Sequence, residues 1–132
     1  MSAADVKLLR ENLATLADEG YEALLPLVDP EFEMETLPGM AAEPQIYNGP
    51  DGVRRWWESF YEVMDEVRLE PTEFHDAGPG KVVLEFRLHA RGQASGLEVT
   101  QDACMLCRLR NEKLIGLELF FALDEALAAA AS

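Results

Sequence analysis

Apolar and polar residues change period along this chain, and the changes divide it into elements. Val6, Leu9, Leu13, Leu16 and Ala17 recur at three- and four-residue spacing, which predicts a helix over 4–19. Ser2 and Asp5 suit its start and Gly20 its end. A second, short helix is expected over 21–28, curtailed by Pro26. Asp29-Pro30 signals a turn, and 31–35 then alternates acid and apolar as a strand with one buried face. Residues 36–45 hold two prolines, a glycine and no period, so a loop is expected. From 48 to 67 the helical period returns: Val53, Trp56, Trp57, Phe60, Met64 and Val67 form one stripe. Asn48, Pro50 and Asp51 suit that helix's start.

Beyond this aromatic helix the period is two. Strands are expected over 68–75, 81–91, 97–110 and 113–121, with turns at 76–80, 92–96 and Asn111-Glu112. Pro71 makes the first of them an edge strand or a bulged one. Asp124 begins a short alanine-rich helix. Helices first and meandering strands afterwards predict a single α+β domain over 1–132, a curved antiparallel sheet with the helices on its concave side. The aromatic helix would lie across the sheet and leave a cone-shaped small-molecule pocket.

Composition narrows the function. The 132 residues are 48% hydrophobic, enough for a real core. Twenty-five acidic residues oppose 11 basic ones, a formal charge of −14, which disfavours nucleic acid and anionic membrane surfaces as partners. Nothing at the start resembles a signal segment and no apolar run would span a membrane, so a cytoplasmic location is expected. Cys104 and Cys107 fall three apart within a strand pattern, hence on opposite faces, where they read as buried small hydrophobes. Two histidines, His75 and His89, are too few for a three-histidine zinc site, and no phosphate loop or nucleophile turn is present. Neither metal nor cofactor is expected.

Several local strings carry a resemblance. They are 28–35 (VDPEFEME), 47–57 (YNGPDGVRRWW), Ser95-Gly96, 107–114 (CRLRNEKL) and 121–127 (FALDEAL). With the order of elements, they make the chain similar to the SnoaL-like branch of the nuclear transport factor 2-like superfamily. That group includes polyketide cyclases, steroid isomerases, dehydratases, epoxide hydrolases and non-catalytic carriers, and many members are dimers. The resemblance implies a cone-shaped fold and two candidate proton carriers: Glu35, near the general base of steroid isomerases, and Asp102, near the late-strand acid of the cyclases. The chain departs from the isomerases in lacking a tyrosine on the first helix. It departs from the epoxide hydrolases in lacking a last-strand aspartate.

The residues themselves leave alternatives open. Strand alternation puts Glu31, Glu33 and Glu35 on the solvated side with Phe32 and Met34 inside, and it puts Gln101 inside with Asp102 outside. Trp57, Tyr61, Gln101 and His75 are the expected ligand contacts, with Glu35 at the rim. Val83, Leu106 and Phe120 lie among charged residues on the outer side of the sheet and predict a homodimer. Two functions compete: a cofactor-free acid–base enzyme on a hydrophobic, ring-bearing substrate, and a non-catalytic ligand carrier or dimerisation module.

Overall fold

Helical spacing is realised first. The structure is a computed structural model and describes residues 2–19, 21–35, 46–61 and 64–131. The loop expected at 36–45 and the side chains of Glu35 and Tyr61 lie outside the described residues. Helix α1 spans Ser2–Glu19 and buries Leu9, Leu13 and Leu16 along one stripe. A 3-10 helix follows at Tyr21–Leu27. Strand β1 (Val28–Glu35) starts earlier than the alternation suggests, because the turn at Asp29 is absorbed as an irregularity in the strand. There the Glu31 amide donates to Asp29 Oδ1 at 2.8 Å. Phe32 and Met34 are buried and Glu31 and Glu33 exposed, as alternation requires.

Strand β2 (Ile46–Asn48) leads directly into helix α2 (Gly49–Tyr61). The expected helix over 48–67 is therefore too long at its far end: Met64 and Val67 belong to strand β3 (Met64–Asp76). They stand opposite Gly92 and Ala90 of strand β4 (Lys81–Gly92). A register shift between Met64 and Glu66 fits their three-residue spacing to a strand, so periodicity alone could not separate the two states. A second shift, between Pro71 and Glu73, is the irregularity that Pro71 signals on an edge strand. Strands β5 (Glu98–Arg110) and β6 (Lys113–Phe120) are joined by Asn111 and Glu112, both at positive φ, in a two-residue hairpin turn. Helix α3 spans Leu123–Ala131.

The six strands are ordered β2-β1-β6-β5-β4-β3. All neighbours are antiparallel except β1 and β6, which are parallel. The sheet is thus mixed, which corrects the all-antiparallel expectation. The cause is α2: β2 and β3 lie at opposite edges and run in the same direction, and α2 carries the chain between them, touching both β1 and β3 on the way. On β6 the inward set is Leu114, Leu117 and Leu119; Ile115 is the extra residue of the shift beside Leu109, and Phe121, just beyond the strand, is half exposed.

Two apolar clusters result. The larger lies between the concave sheet face and the leading helices. The smaller lies on the convex face, where α3 brings Ala126 and Ala130 onto Val83, Cys104 and Leu106, with Phe120 and Leu123 packed around them. Val83 and Leu106 are completely buried there. The apolar groups that suggested a dimer interface are thus covered by the chain's own last helix.

Candidate functional site

The concave cluster is not completely filled. A cavity of about 50 Å³ remains where α1, the 3-10 helix and α2 meet the sheet. Leu9 and Leu13 of α1 bound one side, Trp56 and Trp57 of α2 a second, and Met34, Met105 and Cys107 the sheet side. The two indoles pack edge to face, with centroids 5.6 Å apart and planes at 63°. Helix α2 reaches this position because its first turn presses on β2: a Cβ on Gly52 would come within 2.8 Å of the Tyr47 carbonyl carbon. Only glycine permits that approach.

The lining is uniformly apolar. Its one titratable group among the described residues is the Cys107 thiol, which burial pushes up to about 12. A thiol so held stays protonated and is neither nucleophile nor base at neutral pH. An apolar cavity of about 150 Å³ accepts benzene, so a ring-sized occupant requires these walls to move. Met34 and Met105 are the residues best suited to that, because unbranched thioether chains repack readily.

Of the residues singled out from the sequence, Trp57 is in this lining. Asp102 is not. It lies exposed on the convex face, where Arg87 donates to it from Nε at 2.7 Å and from a terminal nitrogen at 3.3 Å. Its carboxyl is held below the usual aspartate value by that Arg87 bond. Gln101 has the concave parity, opposite Leu88, but stands exposed in the part of β5 that extends beyond the buried core. His75 pairs with Val83, a convex-face residue, and its Nε2 lies 2.8 Å from Glu85 Oε2. The Cα of Glu35 stands opposite Ile46 and Glu118 at the end of β1, and Tyr61 is the last residue of α2. Gln101 and His75, the expected contacts, and Asp102, the candidate proton carrier, are therefore not assembled with Trp57. Met105 and Cys107 share the parity of Gln101, which alternation puts inside, but nothing in their spacing marks them as cavity walls. Cys104 and Cys107 do face opposite sides, one in each apolar cluster.

No helix among the described residues is long and apolar enough to cross a membrane. The family model of the SnoaL-like domain matches residues 9–116. Comparison with curated proteins returns no match. Among solved structures, a nuclear transport factor 2-like protein of unknown function from Burkholderia pseudomallei superposes with a TM-score of 0.75 at 19% identity, covering 96% of each chain. TerC, crystallised with polyporic acid, gives 0.75 at 20% identity, over 96% of this chain and 98% of its own. A protein of ketosteroid isomerase-like fold from Catenulispora acidiphila, in complex with trimethylamine, gives 0.71 at 16% identity, over 94% of this chain and 92% of its own.

Proposed function

The chain belongs to the SnoaL-like family, and on that premise we propose that it binds a small, predominantly apolar molecule in the cone, as a ligand-binding protein and not as an acid–base enzyme. The observation that carries this reading is the wall chemistry. Acid–base catalysis needs a proton carrier within hydrogen-bond reach of the substrate, and the described lining offers only a neutral thiol. Apolar walls with two indoles and two thioethers suit a hydrophobic ring, which gains from area buried and from edge contacts with aromatic and sulfur groups. TerC and the Catenulispora protein, which share the fold, were each crystallised with a small organic molecule, and this supports a small molecule as the ligand.

The test is a titration with 1-naphthol, followed by intrinsic fluorescence. Trp56 and Trp57 are the chain's two tryptophans, so the whole tryptophan signal reports from the lining. Saturable quenching is expected, and Trp57→Leu should weaken the interaction about tenfold, near the contribution of one aromatic pair. Quenching that rises linearly without saturation would contradict the reading. The catalytic alternative rests on Glu35, which closes β1 directly opposite the start of β2. On that alternative Glu35→Gln leaves ligand binding intact and lowers turnover by about 100-fold or more; on the reading preferred here no turnover is found in either protein.

A further inference from the structure

Two carboxylates and an imidazole meet on the convex face of β3 and β4, away from the cone. Glu73 and Glu85 are direct cross-strand partners. Residues so paired hold their side chains close together on one face, and like charges there oppose strand pairing. The arrangement depends on the irregularity in β3. Pro71 stands opposite Phe86, and unbroken register would set Thr72 against Glu85 and Glu73 against Leu84; the extra residue moves Glu73 onto Glu85 instead. Bulges re-aim side chains in this way. His75, two residues further along β3, shares the face. Its Nε2 lies 2.8 Å from Glu85 Oε2 and 4.0 Å from Glu73 Oε2, and one donor atom from each residue lies within 4.8 Å of the other two.

Nearby cations are committed elsewhere. Arg87 is paired with Asp102, and Lys81 donates to the Ala130 carbonyl at 2.8 Å. Among the described residues neither Glu73 nor Glu85 has a lysine or arginine partner. Two adjacent carboxylates in a chain of charge −14 are thus answered only by one imidazole.

We propose that Glu73, His75 and Glu85 form a binding site for a divalent transition-metal ion of the zinc class. One imidazole nitrogen and two carboxylate oxygens are a donor set for such ions, whereas magnesium and calcium favour oxygen alone. Water completes the coordination, since the Glu73 side chain is 65% exposed and leaves the site open. The His75 and Glu85 side chains are 25% and 30% exposed, so the inner two donors are sheltered. The ion offsets the Glu73–Glu85 repulsion and ties the edge strand to β4 beside its irregularity. Two histidines are too few for a three-histidine site, but here two glutamates supply the remaining donors.

The probe is Zn2+ itself, titrated into the metal-free full chain against a chromophoric zinc chelator, with Co2+ absorption as a second readout. Uptake of one ion per chain is expected, with no thiolate-to-cobalt charge transfer. His75→Gln and Glu85→Gln should each weaken uptake by at least about tenfold. His89→Gln should leave it unchanged, although His89 makes a similar pair with Glu70 at 2.7 Å on the same sheet. Glu73→Gln carries a signature that a merely structural residue lacks: it should raise the melting temperature without metal and abolish the rise caused by Zn2+. Melts of every variant show that the fold is retained. The proposal is overturned by absence of stoichiometric uptake, by uptake that survives His75→Gln, by loss of uptake in His89→Gln, or by a melting temperature lowered by Glu73→Gln in metal-free protein.

Discussion

Asp102 shows how far a single residue can be read. Its outward direction follows from alternation alone, and the structure adds the partner, Arg87. That bond holds the Asp102 carboxyl below its ordinary value, and a bond to His89 does the same for Glu70. A carboxyl whose pKa is lowered by folding stabilises the folded chain above its unfolded value and loses that contribution as pH falls through the folded one. Urea melts between about pH 5 and about pH 2 should therefore show stability falling with acid, and Arg87→Gln should remove the Asp102 share of the slope. A slope unchanged by Arg87→Gln would show that the pair contributes nothing. Gln101 marks the limit of this kind of reading. Alternation gives the face of a residue but not how far the helices reach along the strand, so an inward parity ended in an exposed side chain. Burial was clearer at Phe32, which has no exposed surface. Phe32→Ala should cost about 3–5 kcal/mol in a denaturant melt.

Among elements, α2 was the most legible and the least well bounded. Its aromatic stripe identified it, yet Met64 and Val67 satisfied a helical spacing while pairing with β4. The parallel contact of β1 with β6 was not legible either, because a strand's own pattern names its faces and not its neighbours. The entry to α2 gives a test in which two effects oppose. Replacing a helical glycine by alanine normally gains up to about 1 kcal/mol of helix propensity. At Gly52 the added methyl meets the Tyr47 carbonyl carbon at 2.8 Å, and backbone cannot swing aside as a side chain can. Overpacking of this kind costs about 1–3 kcal/mol, so Gly52→Ala should lower stability in a thermal melt followed by circular dichroism. A higher melting temperature would mean that α2 does not press on β2 as described.

At the scale of the molecule, the sheet is covered on both faces: the leading helices hold the cone on one side, and α3 seals the apolar part of the other. The sequence marked Val83 and Leu106 as needing cover but could not say that the cover lies in the same chain, since α3 reads as a generic alanine-rich helix. Lifting it with Ala126→Asp should let a thiol reagent reach Cys104 while Cys107, in the cone, stays protected. Equal reactivity of both thiols would contradict the two-cluster arrangement. The cone itself is tested most directly by the methionine methyl groups. Of the chain's five methionines, Met34 and Met105 line the cavity and Met64, at the start of β3, does not. In a spectrum of methyl-13C-methionine protein titrated with 1-naphthol, the Met34 and Met105 signals should shift saturably while Met64 stays unmoved. Saturation that moves Met64 and leaves Met34 and Met105 in place would contradict it.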